Sequence, residues 1–235
     1  MDNRLADLQR FYELMAELDS CIEGKHLLRD CHGRMNWPLR GVYFFFEDGE
    51  VRGQSGNGPR VVRIGTHALK SGSRTSLWKR LSQHKGVALS GGGNHRGSIF
   101  RLIVGTALLE RDGLTSESWE NRKSTAPREV RLAEQHIEQL VSGVIGAMPF
   151  LWLDVGDDPG AESERGIIER GSIALLSNWR KEPIDPPSSS WLGKYCNRER
   201  IRSSGLWNSN HVDEAYDPNF LDVLESRVEQ IRRRR

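Results

Sequence analysis

Long apolar runs are missing from this chain. No segment approaches the roughly 18 consecutive apolar residues needed to span a membrane, so no membrane-spanning helix is expected. Cysteine is scarce. Cys21, Cys31 and Cys196 form an odd, widely spaced set of three, from which neither a disulfide framework nor a paired zinc knuckle follows. A site built from Cys21, His26, Cys31 and His32 would have a C-x9-C-H spacing that matches no regular metal pattern. An excess of one charge is also absent. The 34 basic residues face 32 acidic ones for a net +2, which excludes a passive nucleic-acid coat and makes any contact with a polyanion local. The N-terminus, Met1-Asp2-Asn3-Arg4, has no basic region followed by an apolar run. No secretory signal is therefore expected, and the chain reads as cytoplasmic.

Apolar residues make up only 37% of the 235, so a core has to come from a few dense segments. Residues 4–29 show helical spacing through Leu5, Leu8, Phe11, Tyr12, Met15, Leu18 and Ile22. Residues 40–47, aromatic and dense, predict a strand, and 60–66 predict its antiparallel partner across a glycine-rich loop. Ser76 precedes an apolar-periodic stretch that Gly86 ends, the signature of a capped helix over 77–84. Further helices are expected over 97–109 and from Pro127 to Met148, the second burying Val130, Ala133, Ile137, Leu140, Val141 and Ile145. Residues 111–126 read as an exposed connection. A short strand is expected over 151–155, a helix over 162–177, and a final helix closing on Arg232 to Arg235. No internal repeat is present. The fold class expected is α/β (α+β in the stricter sense), a small, mainly antiparallel sheet flanked by helices. Its parts would be an N-terminal helical arm over 1–38, a core over 39–180 with inserted helices at 97–147, and a C-terminal extension over 181–235.

Several residues combine into a chemical pattern. Strand alternation puts Tyr43 and Phe45 on one face, and Val61, Arg63 and Gly65 on one face of the partner strand. Arg80 and His84 are four apart and so neighbours on one helix face. Glu169 points along the apolar stripe of Ile173 and Leu176, where a carboxylate needs a cation or hydrogen bond to offset desolvation. Gly41-Val42-Tyr43 followed by Arg63-Ile64-Gly65, then Arg80, His84 and Glu169 in order, resembles the GIY-YIG nucleases over roughly residues 39–180. Arg63 stands where the family carries a second tyrosine, and the stretch between Arg80 and Glu169 is longer than in small members.

The resemblance implies hydrolysis of DNA phosphodiester bonds by in-line attack of water. Tyr43 would act as base or position the water with help from His84. Arg63 or Arg80 would favour the phenolate, and Arg80 would hold the scissile phosphate. Glu169 would carry Mg²⁺, with Mn²⁺ able to substitute. Asn178 is the nearest counterpart of the asparagine that similar enzymes place after the glutamate helix. The implied partner is double-stranded DNA, no membrane is involved, a homodimer is allowed for, and the extra segments fit a restriction or defence role. DNA contacts are expected at His95, Arg96, Arg200, Arg202, Trp207 and Asn208, where cations, amides and an aromatic interleave.

Each residue also has a structural alternative. Tyr43 could be core packing, Arg80 a surface cation, and His84 a cation at a helix C-terminus. Glu169 could pair with Arg165, and Asn178 could be a left-handed helix terminator. Asn94-His95 resembles part of an HNH nuclease, but it lacks the second histidine or aspartate pair such a site needs. A scaffold that binds DNA without cutting it is the alternative function.

Overall fold

The structure, a computed structural model, describes residues 3–121 and 125–234. Part of the expected 111–126 connection and Arg235 therefore lie outside the described residues. Four strands form one antiparallel sheet in the order β1–β4–β2–β3, from β1 (His26–Leu27), β2 (Gly41–Val51), β3 (Pro59–Gly65) and β4 (Pro149–Asp154). Around it lie α1 (Arg4–Cys21), α2 (Leu77–Lys85), α3 (Ile99–Asp112), α4 (Arg128–Ala147), α5 (Glu164–Leu176), α6 (Glu199–Ser204) and α7 (Phe220–Arg233). The expected mixed fold with an antiparallel sheet is what the chain adopts.

The alternation of β2 sets the layers. Val42, Phe44 and Phe46 face one way and join Phe11 and Leu18 of α1, Ile173 of α5 and Leu224 of α7. Tyr43 and Phe45 face the other way and join Leu77 and Leu81 of α2, Phe100 and Ile103 of α3, and Val141 of α4. Helices therefore cover both faces. α1 packs into the first layer, and the C-terminal segments reach both, Leu206 entering the first and Trp207 the second.

Three local expectations are corrected. The first helix ends at Cys21, not 29, because Glu23 and Gly24 take left-handed φ values of 64° and 106°, and the chain then turns back so that His26 pairs with Phe150. On β3, Phe45 pairs with Arg63 but Phe46 pairs with Val61, so Val62 is a bulge. Val61 consequently joins the α1/α5 face and Val62 the α2/α3 face, and the face expected to unite Val61, Arg63 and Gly65 loses Val61. On α4 the buried stripe includes Glu134, Glu138 and Ser142, while Ala133 is exposed. Buried glutamates break the apolar periodicity but are matched by Arg96 and Arg101.

The outer edge of β3 is closed by the C-terminal segment. Trp207 N–H donates to Val62 O at 2.7 Å, and the Asn208 amide accepts from Ile64 N–H at 3.1 Å and donates to Ile64 O at 2.8 Å. Trp207 is fully buried, with its indole N–H on Glu47 at 2.9 Å. Trp207 and Asn208, expected as DNA contacts, are placed here to finish the sheet, where an unpaired strand edge would otherwise be left.

Asn208→Leu should leave the buried Ile64 N–H and C=O without partners and cost about 3 kcal/mol, by the usual penalty for unsatisfied buried groups. Urea unfolding of the variant checks this, and an unchanged midpoint would refute the edge-closing role.

Candidate active site

Tyr43 lies opposite Gly65 in the β2–β3 pairing. A Cβ on Gly65 would overlap the Tyr43 phenol, so only glycine lets the ring cross β3. The ring is almost completely buried, and its hydroxyl reaches 2.8 Å from His84 Nε2. His84 sits in the last turn of α2, which starts where Ser76 Oγ accepts from Lys79 N–H and stops at Gly86 with φ 59°.

A polar network holds the end of α2 in place. His84 Nδ1 is 2.7 Å from Ser98 Oγ, which also caps α3 by accepting from Arg101 N–H. Arg101 is fully buried; it donates to His84 O at 2.9 Å and to Glu138 Oε2 at 2.9 Å. Burial, then the cations of Arg80, Arg63 and Arg101, hold the His84 pKa well below its usual value, so the ring is neutral. A neutral ring has one N–H and one lone pair. With the proton on Nδ1, facing Ser98, Nε2 accepts from the phenol.

Glu169 approaches from α5 on the other side of the sheet. Its Oε1 accepts from Thr66 N–H at 3.0 Å, directly after β3, while Thr66 Oγ1 donates to Gly41 O at 2.8 Å. Burial raises the Glu169 pKa, opposed by the Thr66 bond and by Arg63, His211 and Arg80. Arg63 is buried over the Phe100 ring, 4.4 Å from its centroid, and donates to Trp207 O. Burial lowers the Arg63 pKa, and Tyr43 is the strongest opposing influence. Arg80 is half-buried and, among the described residues, bonds only Gln83 Oε1 and Gly97 O, both at 3.2 Å. Tyr43, Arg63, Arg80, His84 and Glu169 thus meet at the end of the hairpin. Glu169 also lines a cavity of about 650 Å³ between α5 and residues 211–223, with His211 and Glu214.

Among the described residues no three His, Cys, Asp or Glu side chains gather as a metal site. Glu169 Oε2, in no hydrogen bond with the described residues, is the free carboxylate oxygen of this cluster. A single carboxylate suits Mg²⁺, which keeps several waters and takes phosphate oxygens as its other ligands.

Other candidates are placed elsewhere. Asn178 bonds Arg4 at 2.8 Å and both backbone groups of Ile184, so its amide anchors the end of α5 and is not brought to the cluster. Arg165 pairs with Asp157 at 3.0 Å, leaving the alternative Glu169 partner unused. His95 is fully buried on Glu138, and Arg96 makes a two-pronged bond to Glu134, so both of these expected DNA contacts are committed to the buried glutamates of α4. Arg200 and Arg202 are exposed, although Arg200 pairs with Asp213 and Arg202 donates to Cys196 O. Of the terminal arginines, Arg233 pairs with Glu229 and Arg234 with Asp154.

Sequence reading passes over His67 and His211. His67 follows Thr66, is 6% exposed, and has neither ring nitrogen in a well-directed hydrogen bond. Burial and then Arg165 push its pKa down to about 4. His211, at φ 62°, is held by Glu214 at 2.7 Å. Adjacency to Gly65-Thr66 is a usable signal for His67; nothing in the sequence marks His211.

The depressed histidines give a pH signature. Above about pH 6.5 both folded and unfolded chains keep these rings neutral, and stability is level. Below it the unfolded chain takes up protons that folded His67 refuses until about 4, so stability falls as pH drops through this window. Thermal melts of the protein and of His67→Gln between about pH 7.5 and 4.5 should show a shallower fall in the variant. Parallel curves would refute the assignment.

A family model described as the GIY-YIG domain matches residues 2–234, reaching beyond 39–180 at both ends. No curated protein and no solved structure matches the chain. Membership points to a nuclease-type function, and among the described residues no helix is long and apolar enough to cross a membrane. With the hairpin, the arginine–histidine helix and the α5 glutamate in one arrangement, the chain belongs to the GIY-YIG family.

Proposed function

We infer that the protein is a Mg²⁺-dependent endonuclease that hydrolyses phosphodiester bonds of double-stranded DNA. The observation that carries this reading is the 2.8 Å contact between the Tyr43 hydroxyl and neutral His84, with Arg80 and Glu169 at the same end of the sheet. His84 Nε2 accepts the phenolic proton as Tyr43 takes one from the attacking water. The water oxygen bonds phosphorus, the P–O bond breaks with its electron pair on the leaving oxygen, that oxygen takes a proton from solvent, and His84 gives its extra proton back to solvent. Arg63, beside the phenol, favours its negative form electrostatically. Among the described residues Arg80 has only two hydrogen bonds to give up, both 3.2 Å long, and its guanidinium is the group suited to hold the scissile phosphate and its developing charge. Glu169 would hold the Mg²⁺, which supplies Lewis-acid stabilisation when bound, and Mn²⁺ fits the same oxygen ligands.

A second reading, a scaffold that binds DNA without cutting, is favoured by Arg63. It replaces the second motif tyrosine, and its guanidinium is committed to Trp207 O and the Phe100 ring.

Supercoiled plasmid should be cut with Mg²⁺ or Mn²⁺ and not with EDTA. Glu169→Gln and Tyr43→Phe should each lower the rate by about 10²-fold or more, the scale of lost acid–base catalysis. Binding without cutting in every metal would move the second reading ahead. Gly65→Ala, which leaves every chemical group present, should also abolish cutting by driving Tyr43 away from His84. Retained activity in that variant would show that the Tyr43–His84 contact is dispensable.

A further inference from the structure

The net charge of +2 conceals a segregation along the chain. Residues 51–109 contain ten of the 34 Lys and Arg residues and none of the 32 Asp and Glu, leaving 24 basic against 32 acidic residues outside this stretch. The fold sorts the ten cations into two groups. Six are committed to the protein. Arg60 bonds Glu50, Arg96 bonds Glu134 and Arg101 bonds Glu138. Arg52 lies over the Tyr12 ring, Arg63 donates to Trp207 O, and Lys85 donates to Cys31 O at 2.5 Å.

The remaining four are Lys70, Arg74, Lys79 and Arg80. They fall within eleven residues, on the loop between β3 and α2 and on the start of α2. Lys70, Arg74 and Lys79 are exposed, and none of the four has a carboxylate partner among the described residues. Elsewhere exposed arginines do meet acids, as Arg170, Arg200 and Arg233 do.

The placement gives this charge a direction. The loop leaves β3 at Thr66, which holds Glu169, and leads into the helix whose far end holds His84. Along the chain these cations fall between the residue that holds Glu169 and the helix that carries Arg80 and His84, interleaved with Ser71, Ser73, Thr75 and Ser76, hydroxyls of the kind that bind phosphate oxygens. Unpaired like charges repel one another in the free protein, and a polyanion laid across them relieves that repulsion.

We propose that Lys70, Arg74 and Lys79 form a phosphate track that holds duplex DNA beside the Tyr43–Glu169 cluster, engaging phosphates that flank the one held by Arg80 without reading base sequence. The proposal rests on the nuclease reading and adds the path of its substrate. Because the three side chains make no bond to the described residues, removing them leaves the fold intact.

The test is binding of a fluorescein-labelled duplex of arbitrary sequence in EDTA, where no cutting occurs, over a salt series. The wild type is compared with a Lys70→Ala/Arg74→Ala/Lys79→Ala variant and with the single reversal Lys79→Glu. Losing three phosphate contacts should reduce the slope of log K against log salt by about 2.7 in magnitude, at about 0.9 per phosphate. The triple variant should cut with unchanged kcat and raised KM, and the loss should be the same on unrelated sequences. Equal slopes and affinities in wild type and variants would overturn the track while leaving the nuclease reading standing if plasmid is still cut. Failure of the wild type to bind or cut any duplex would overturn both.

Discussion

The crossing of Tyr43 over Gly65 is the constraint on which the rest of the site depends. A phenol on the central strand can reach a helix beyond the neighbouring strand only if that strand offers no side chain at the crossing point. The same pairing fixes Thr66 one residue further on, and Thr66 N–H holds Glu169. One backbone register thus aligns the phenol from one face of the sheet with the carboxylate from the helix on the other.

α3 and α4 are part of this device. His84 is only as well placed as the end of α2, and that end is held by Arg101, a buried cation matched by Glu138. Breaking a buried pair of this kind by removing one partner typically costs about 3–5 kcal/mol, because a charge is left in low dielectric. α3 and α4 therefore help to position the cluster without contributing a residue to it. Ser98 links the two functions, capping α3 and bonding the far nitrogen of His84.

Much of this is legible in the sequence where a local rule governs the outcome. The alternation of residues 42–46, the Ser76 cap and the Gly86 stop all depend on neighbours in the chain, and each forms as its residues dictate. The departures come where a distant partner decides. Val61 changes face because of a bulge, which periodicity cannot register. Glu134 and Glu138 enter the core because arginines far along the chain neutralise them. Trp207 and Asn208 have the composition of a DNA contact but finish a strand edge instead, since a side-chain amide satisfies a backbone pair as readily as a base.

The sequence by itself determined the hairpin, the arginine and histidine four residues apart on one helix face, and the order in which the chemical residues appear. Turn chemistry, strand alternation and helical spacing act over a few residues and need no fold to be read. The tertiary structure alone decided which polar groups are spent and which are free. Arginines look alike as letters. Arg96 is held by Glu134, which lies within 2.8 Å of it, whereas Arg80 makes, among the described residues, only two bonds of 3.2 Å to neutral oxygens. That distinction depends on contacts between residues far apart in sequence, and only folding brings them together.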